Sequence, residues 1–569
     1  MLHLQRFVYI SGLLLLVIAL CTVQAQDHNG PVYIIEDFGA ASGLSEMNTE
    51  AIQEAIDRCA ADGGGTVWVP SGIFVSGPLF MKSNVRLHLD AGAVLKASSN
   101  IGDYPAVPGR WEGIERKVYA SLIHADSVEH IAITGQGKLD GSGQVWWDAF
   151  DTTDSLKRAR DIYAREAPYP EDAPMNYPRP RVINIYRSQQ ILIRDITIIN
   201  SPSWTVHPVY CTNVTIDNIT IKQPYHTPNT DGINPDSSTE VRISNCHIDV
   251  GDDCIAIKSG YNSDGRRVGR PTENVVITNC TFKNGRGGVV IGSEMSGDVS
   301  NVLVSNSVFD GTLRGLRIKT ARGRGGTVEQ IRAGNLVMRD IPDAAISISS
   351  SYGWGNTEGL PEVDETTPHF RDFTFSNITI TGANKVAEIS GLPERPIDYL
   401  SISDLLVLRS REGISINHVN SLALANIQTE ILFDTPLKLK NIETAKLQNL
   451  SAEAGWLNGP FLELETVSKL RFRDFLAQYP LSALISAGSE TQNEVASAIE
   501  VPLFNEDLPI WQNRTGGESG PDISFGQFQD LLKRVGDKFS VESVEEMESG
   551  SLKVGIIKEG DKRVEKILD

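Results

Sequence analysis

Three aspartates lie close together near the middle of the sequence, and their spacing suits acid–base chemistry. Asp231 stands in the tetrapeptide Asn-Thr-Asp-Gly, and Asp252 and Asp253 follow in Gly-Asp-Asp. Cleavage of a glycosidic bond needs one protonated carboxyl to donate to the leaving oxygen and one carboxylate to activate water or to attack. Like charges at close range raise at least one pKa, which supplies the acid. Aspartates in such short motifs are also ordinary turn residues, so the rest of the chain has to separate the two interpretations.

A repeat along the chain provides the elements that would position these aspartates. The pattern apolar-x-Asn/Asp-x-x-apolar recurs mostly at intervals of 22 to 29 residues, with no helical periodicity between the copies. A period of that length, made of short β-branched strands and turns, predicts an all-β solenoid of stacked strands, a parallel β-helix. A leucine-rich repeat has a similar period, but its leucine spacing is missing. The clear copies have Asp195, Asn218, Asn245, Asn279, Asn306, Asn377 and Asp404 at the Asn/Asp position, and weaker copies have Asn335, Asn426, Asn449 and Asp474.

Counting from this Asn/Asp position gives a rough phase around each coil. Asp252 lies seven residues after Asn245, and Arg286 lies seven after Asn279. We therefore expect Asp252 and Arg286 side by side on adjacent coils, about 4.8 Å apart along the stack. Gly251 at a corner or bulge would let both carboxylates of the Gly-Asp-Asp motif point outward.

A second phase and the local charge predict one outward face for the charged groups. Asp231, Lys258 and Lys319 each lie thirteen residues after their Asn/Asp position. Between Lys258 and Arg324 there are eleven Lys or Arg against five Asp or Glu, in a chain of net charge −20. Because guanidinium and ammonium groups bind carboxylates, this excess favours an anionic sugar polymer as the substrate. Solvated turns of a solenoid are the alternative explanation.

The beginning of the chain and its composition restrict where the protein works. Arg6, an apolar run from Phe7 to Val23 and small residues up to Ala25 predict a secretory signal over residues 1–25, with an uncleaved membrane anchor as the alternative. We expect a secreted or periplasmic protein. The negative net charge argues against nucleic acid and anionic membranes as partners, and we expect a monomer. Five cysteines would remain after cleavage, which is too few for a disulfide scaffold and gives no zinc spacing.

Two of these cysteines fit the repeat. Cys246 and Cys280 each follow the Asn/Asp position of adjacent coils, so we expect them to stack in one layer as small core residues. A Cys254–Cys280 disulfide is the alternative.

The remaining segments give a domain outline. We predict a cap and the first coils over 26–110, a catalytic β-helix over 111–500, and a cap or appended segment over 501–569, which would contain a helix around Ser524 to Val535 and one strand in SLKVGIIKE. Near the start, Asn48 or Thr49 would cap a helix that ends at a run of three glycines. Its apolar residues at three- and four-residue intervals are Ala51, Ile52, Ala55, Ile56 and Cys59.

Three motifs in this order resemble the polygalacturonase family of pectin hydrolases, glycoside hydrolase family 28. They are NTDG at 229–232, GDD at 251–253 and RIK at 317–319, and the stretches DGGGTVWVPSGIF and SPSWTVHPVYCTNVTI also resemble that family. The resemblance extends from about Val32 to Tyr352. It implies a right-handed parallel β-helix and a hydrolase that cleaves α-linked galacturonic acid residues, without a metal or organic cofactor.

The resemblance also implies roles for single residues. Asp252 would protonate the glycosidic oxygen, while Asp231 and Asp253 would hold and deprotonate the attacking water, with inversion at the anomeric carbon. Arg317 and Lys319 would bind the substrate carboxylate. Further candidates for substrate binding are Asn229, Lys258, Arg286 and His207.

Arg286 is a departure from the family pattern. The family typically has Gly-His-Gly where this chain has Gly285-Arg286-Gly287, and an arginine beside Asp252 is expected to lower the pKa of the acid. A rhamnogalacturonan or another decorated pectin is therefore an alternative substrate. A protein that binds pectin without cutting it is a further alternative.

A long insertion bears on the action pattern. Residues from Asp148 to Pro180 are rich in proline and lack the repeat, and long loops of this kind are usually functional or disordered. If the insertion closes one end of the groove, the enzyme acts from chain ends. Trp146 and Trp147 just before it would be either a sugar platform or packing residues, and the stretch with Trp204 and His207 resembles the exo-acting bacterial branch.

Overall fold

The computed structural model describes residues 30–352, 361–454 and 460–477, together with short strands between 485 and 568. The predicted signal segment and the predicted helix around Ser524 to Val535 lie outside the described residues. The chain folds as a right-handed parallel β-helix with few helices, as the repeat and the resemblance predict.

Each coil of the β-helix contributes strands to three faces, which we call A, B and C, and the strands within each face pair in parallel. Face A contains Val32–Ile34, Gly65–Val69, Val85–Leu89, Glu129–Gly135, Gln189–Arg194, Thr212–Asp217, Thr239–Ser244 and Thr272–Thr278. Face B contains Gly43–Met47, Gly72–Ser76, Ala93–Ala97, Lys138–Asp140, Thr197–Ile199, Thr220–Lys222, His247–Val250 and Thr281–Asn284. Face C contains Leu79–Phe80, Ile123–Asp126, Ile183–Tyr186, Val206–Val209, Asp253–Ile257, Gly287–Gly292, Leu316–Lys319, Ile341–Ser349 and Ala383–Ser390.

Later strands are longer and bend from one face to the next. Val299–Asp310, Thr327–Arg339 and His369–Ile380 cover faces A and B, and Ile397–Ile431, Leu437–Ala454 and Leu462–Ala477 cover more than one face. The short strands Ile485–Ala487, Ala496–Glu500 and Trp511–Asn513 continue the stack by parallel pairing. Outside the stack lie the antiparallel hairpin Ala106–Trp111 with Ile114–Tyr119 and an antiparallel sheet of Phe539–Glu546, Leu552–Lys558 and Lys562–Leu568. The strand predicted in SLKVGIIKE is thus present. The helices within the described residues are Thr49–Ala61, Gln144–Ala159 and Asn262–Val268, with 3-10 turns at Ile35–Phe38 and Ile101–Asp103.

The core consists of apolar side chains that stack in register from coil to coil. Ile216, Ile243, Ile277 and Val304 occupy equivalent positions on face A, and all four are buried. Burial of one such side chain contributes about 1.5–3 kcal/mol. The continuous column of β-branched residues therefore explains why the strands keep one register.

The repeated Asn/Asp residue lies at the corner between faces A and B. Asn218, Asn245, Asn279 and Asn306 all adopt left-handed φ values between 50° and 58°, a conformation that asparagine tolerates better than other side chains. Neighbouring amides also hydrogen-bond along the stack; for example, Asn279 Nδ2 donates to Asn245 Oδ1 at 3.4 Å. We call this column the asparagine ladder, and it confirms the predicted repeat.

The predicted N-terminal helix is also confirmed. It covers Thr49–Ala61 directly after Asn48, and Ile52, Ile56 and Cys59 are fully buried against the first coil. The predicted side-chain cap is absent, because the Asn48 side chain makes no hydrogen bond to the first turn and Thr49 Oγ1 accepts from the Gly77 amide. Because an open end of a solenoid would expose its core, the helix caps the stack.

Cys246 and Cys280 occupy equivalent positions on adjacent coils, since His247 pairs with Thr281 in the next register position. Both are buried, and they are free thiols like the other described cysteines. The stacked arrangement is therefore confirmed, and the alternative disulfide between Cys254 and Cys280 is absent from the described residues.

The insertion between the coils is ordered around a helix. Gln144–Ala159 buries Trp146 completely between Tyr104 and Tyr119, and Trp147 Nε1 donates to the carbonyl of Ser201 at 3.1 Å. Both tryptophans are packing residues, so the sugar-platform interpretation of this pair is wrong.

Candidate active site

The Gly-Asp-Asp motif forms the corner between faces B and C. His247–Val250 ends before Gly251, and Asp253–Ile257 begins after Asp252. A Cβ atom on Gly251 would lie 2.7 Å from the carbonyl oxygen of Tyr225, so the tight turn requires glycine. The Asp252 carboxylate accepts a hydrogen bond from the Asp253 amide at 3.0 Å. The corner predicted at Gly251 is thus present.

Asp231 approaches the same corner from the preceding coil. The Gly232 amide donates to the Asp253 carbonyl at 3.0 Å, and Asn234 Nδ2 donates to Asp231 Oδ2 at 2.8 Å. Single parallel bridges then pair Asp236, rather than Asp231, with Lys258. The predicted equivalence of Asp231 and Lys258 is therefore wrong, because the two segments between ladder and face C differ in length.

Arg286 lies beside Asp252 on the next coil, as the ladder spacing predicts. Asp253 pairs with Gly287, and the Arg286 amide donates to the Asp252 carbonyl at 3.0 Å. The Arg286 side chain is exposed, and it makes no ion pair with any side chain in the described part of the chain.

Three further cations surround the carboxylates. Lys319 Nζ lies 3.0 Å from Asp253 Oδ2. Lys258 is buried, with Nζ 4.9 Å from the ring centroid of Trp204, and its charge acts on Asp231 and Asp253. The Arg317 guanidinium lies 5.2 Å from the ring centroid of Tyr352. All three cations act on Asp253, although Lys258 follows the strand Asp253–Ile257 while Arg317 and Lys319 lie on the strand Leu316–Lys319 of a later coil.

The environment separates the pKa values of the three carboxyls. Burial raises the pKa of Asp252 to about 6, the Asp253 charge adds to this, and Arg286 opposes it. Burial also acts on Asp253, but Lys319, Arg317 and Lys258 outweigh it and lower its pKa. The pKa of Asp231 rises well above its usual range because of burial and the Asp252 charge.

The expected effect of Arg286 on the acid is thus only partly correct. The arginine does lower the pKa of Asp252, but burial and the adjacent Asp253 are larger influences and the net shift is upward. Sequence spacing indicated the neighbour correctly and gave no measure of burial. Asp252 and Asp253 therefore form an adjacent pair in which one carboxyl holds a proton and the other is ionised.

His207 occupies a different position from the one expected for a residue that binds substrate. It is fully buried in Val206–Val209, with Nε2 3.5 Å from Asp236 Oδ2 and the ring 4.8 Å from that of Trp204. Burial lowers its pKa to about 3. His207 therefore packs behind Trp204 as a neutral ring, and its role as a substrate contact stays a prediction.

Asn229 lies at the edge of the site in a left-handed conformation with a φ of 54°. Its Oδ1 accepts a hydrogen bond from Arg179 Nη2 at 2.7 Å. Arg179 Nη1 also donates to the carbonyl oxygens of Pro202 and Pro228. The loop that carries Asp231 is thus fastened by a buried arginine at the end of the insertion.

The comparisons with known proteins agree with this geometry. The sequence profile described as glycosyl hydrolases family 28 matches residues 170–424. A relative from Vitis vinifera named "Probable polygalacturonase" is 33% identical over 386 residues, which cover 65% of this chain and 73% of the relative. The chain belongs to glycosyl hydrolases family 28. It is accordingly a glycosidase that hydrolyses O-glycosyl bonds.

Other family 28 proteins are similar over a comparable length. An "Endo-polygalacturonase" from Pectobacterium carotovorum subsp. carotovorum is 32% identical over 348 residues, which cover 59% of this chain and 78% of that protein. The crystal structure of a hyperthermoactive exopolygalacturonase from Thermotoga maritima is 33% identical, covers 70% of this chain and 91% of that chain, and superposes with a TM-score of 0.62. Both exo- and endo-acting enzymes are thus among the family 28 relatives.

Two absences apply to the described part of this family 28 chain. No group of three or more His, Cys, Asp or Glu side chains there is arranged to hold a metal ion. No described helix is both long and apolar enough to cross a membrane.

Sequence reasoning missed three polar residues that shape the site. Asn234 binds Asp231, Arg179 binds Asn229, and Glu294 Oε2 accepts a hydrogen bond from Lys258 Nζ at 3.1 Å. Asn234 lies three residues after Asp231 and could have been found from that spacing. Arg179 and Glu294 lie in loops that are distant in sequence from their partners Asn229 and Lys258, so no local signal indicated them.

Proposed function

We propose that the protein hydrolyses α-linked galacturonic acid residues in pectin, with inversion and from the chain end. Asp252 donates its proton to the glycosidic oxygen. Asp253 takes the proton of the attacking water, and Asp231, together with Asn234, holds that water. The pectin-directed names of the relatives and the chemistry of the site both support this assignment.

The opposite pKa shifts of two adjacent aspartates carry the proposal. Asp252 is partly exposed and has a pKa of about 6, so it retains a proton in weakly acidic solution. Asp253 is kept ionised by Lys319 at 3.0 Å. A general acid next to a general base is the pair that glycoside hydrolysis requires.

The cations favour an acidic sugar. Arg317 retains its guanidinium for a substrate carboxylate, since it makes no ion pair with the described side chains, and Arg286 is exposed beside the acid. Lys319 is bound to Asp253 and can reach a second carboxylate from the same position. Guanidinium groups bind carboxylates through two parallel hydrogen bonds, which would orient a galacturonate unit against Asp252.

The insertion supports action from chain ends. Arg179, at its end, holds Asn229 and lies 4.1 Å from the ring centroid of Phe150 in the helix Gln144–Ala159. The insertion is therefore packed onto the coil that precedes the catalytic corner, where it would limit how far a polymer extends. The apolar leader predicted for residues 1–25 supports export to the secreted or periplasmic compartment, where such a polymer is met.

Reducing-end release from polygalacturonate and from rhamnogalacturonan, with sizing of the products, tests the proposal. The wild type should release monomer from polygalacturonate, and Asp252→Asn should lower the rate by about 10²–10⁴-fold, the contribution expected of a general acid. Asp249→Asn is a matched control, because Asp249 lies on the preceding strand and binds Asn284 rather than the site. NMR of the first anomer formed distinguishes inversion from retention.

Other outcomes would assign other functions. Activity on rhamnogalacturonan alone would indicate that exposed Arg286 accompanies a different substrate. Equal binding of pectin by the wild type and Asp252→Asn, with no turnover in either, would contradict the hydrolase and identify a binding protein.

A further inference from the structure

Glu294 is a buried carboxylate, and each of its two oxygens contacts a cation. It is 5% exposed and lies in the loop after Gly287–Gly292. Oε2 accepts a hydrogen bond from Lys258 Nζ at 3.1 Å, and Oε1 lies 2.6 Å from Arg165 Nη1. A buried carboxylate is stable only when it is paired and hydrogen-bonded, so these contacts fix its position.

Lys258 connects Glu294 to the catalytic carboxyls. Its side chain is 5% exposed, and its charge lowers the pKa values of Asp252 and Asp253 and acts on Asp231. A lysine side chain has four flexible methylene groups. The pair with Glu294, together with the Trp204 ring 4.9 Å from Nζ, therefore fixes the distance of the ammonium from the three aspartates.

Arg165 connects Glu294 to the insertion. Its guanidinium lies 4.4 Å from the ring centroid of Tyr261, and Nε lies 3.3 Å from Glu112 Oε2. On the same ring, the Arg324 guanidinium lies 3.9 Å from the centroid. The insertion is therefore joined to the loops of face C by one arginine that reaches the partner of Lys258.

We propose that Glu294 is a positioning residue that sets the place of Lys258 among the catalytic aspartates, and that Arg165 makes this position depend on the insertion. The proposal rests on the hydrolase function proposed above. It assigns the insertion a second role besides limiting the groove, namely adjusting the charge that the acid and base experience. The titratable and charged groups that face this pair are Lys258, Arg165 and Arg324 around Glu294, and Asp231, Asp236, Asp252, Asp253 and the neutral His207 around Lys258.

Two substitutions should move the pH profile of kcat/KM in opposite directions. Glu294→Gln leaves the Lys258 charge unopposed, which lowers the pKa of Asp252. The high-pH limb of kcat/KM should therefore move to lower pH by about half a pH unit or more. Arg165→Gln leaves the Glu294 charge less neutralised, which raises that pKa and moves the limb up. Arg160→Gln is the control, because Arg160 lies in the same insertion and its ion pair among the described side chains is with exposed Asp172.

A merely structural role would reduce activity or thermal stability without opposite shifts, and that result would overturn the proposal. Shifts in the same direction, or none, would also overturn it. If Glu294→Gln does not fold, Arg165→Gln decides alone, since its side chain is about one-third exposed and its replacement leaves no unpaired buried cation.

A measurement without substrate separates this proposal from the proposed function. Because the pKa of Asp252 is raised in the folded state, its stabilising contribution is complete at acidic pH and is lost as the pH rises through about 6. Asp252→Asn should abolish one pH-dependent step in the curve of Tm against pH. That step should move to lower pH in Glu294→Gln and to higher pH in Arg165→Gln. These shifts in a protein that fails to cut pectic polymers would retain the positioning role and reject the pectin hydrolase.

Discussion

The asparagine ladder and the catalytic corner are built by the same stacking of coils, yet they use it in opposite ways. In the ladder, each coil contributes an asparagine or aspartate in the same backbone conformation, and several amides bind the equivalent residue of the adjacent coil. In the corner, each coil contributes a different charged side chain. Asp231, Asp253 and Lys319 come from separate coils; the two aspartates are almost completely buried and Lys319 is mostly buried.

The difference shows what stacking can and cannot fix. A repeated interaction needs only correct local geometry, so the loss of one copy leaves its neighbours intact. The corner contains single copies of mutually dependent charges, and removal of one changes the pKa of the others. We therefore expect substitutions in the corner to have large, coupled effects and substitutions in the ladder to have small, local ones.

Lys319→Met should have the largest effect. It leaves the Asp253 carboxylate buried without its partner at 3.0 Å, and breaking a buried pair costs about 3–5 kcal/mol of stability. It also raises the pKa of Asp253, so turnover should fall. Tm by calorimetry and the rate of reducing-end release measure the two effects. Lys283→Met is the control, since Lys283 is half exposed and 3.5 Å from Asp310; equal losses in both variants would contradict the comparison.

The second-largest effect should be the change of kcat/KM with pH in the wild type. Because Asp252 must be protonated and has a pKa of about 6, kcat/KM should fall about tenfold per unit above that pH. Asp253 must be ionised, and its lowered pKa keeps the low-pH limb below the usual range of an aspartate. Initial rates from pH 3 to 8 measure both limbs. A rate that stays constant from pH 6 to 8 would exclude Asp252 as the acid.

Asn335→Ala should lower the free energy of unfolding by about 1 kcal/mol. It removes the amide that donates to Asn306 and accepts from Asn377, and it places alanine at a φ of 56°, which disfavours residues other than Gly, Asn and Asp. Asn335→Gly keeps the conformation and removes only the amide. Comparison of the two Tm values separates the hydrogen bonds from the backbone cost. Catalytic rates should be unchanged in both variants, in contrast to substitutions in the corner.

Asp404→Asn should have the smallest effect. Asp404 is a ladder residue with a φ of 53°, and its Oδ1 accepts from Asn426 Nδ2 at 2.8 Å, which an amide oxygen can also do. Stability should stay within about 0.5 kcal/mol. The same chemical change at Asp252 should abolish most activity. A loss of turnover in Asp404→Asn would remove the functional distinction between the two regions.

Sequence reasoning succeeded where structure is local or separated by one regular coil. The ladder follows from a six-residue pattern, and the adjacency of Asp252 and Arg286 follows from equal spacing after Asn245 and Asn279. Both depend on strands of fixed rise and on a constant corner. The stacked cysteines were predictable for the same reason.

The same reasoning failed where loops of unequal length or burial decide the outcome. Lys258 is equivalent to Asp236 rather than Asp231 because the two segments between ladder and face C differ in length. The net pKa of Asp252 depends on burial, which residue order does not indicate. Glu294 and Arg165 are far apart in sequence, and only the folded insertion brings them together.

The continuous register of the longer strands from Val299 to Ala454 also restricts how such a chain can change in length. Removal of one residue from a strand would turn inward side chains outward, whereas removal of a complete coil would join equivalent positions. Length changes within the paired strands are therefore tolerated as whole turns, whereas the loops between faces can vary in length, as those before Asp236 and Lys258 do. Addition or removal of complete coils would therefore change the length of the surface beside the catalytic corner without changing the residues of the corner itself.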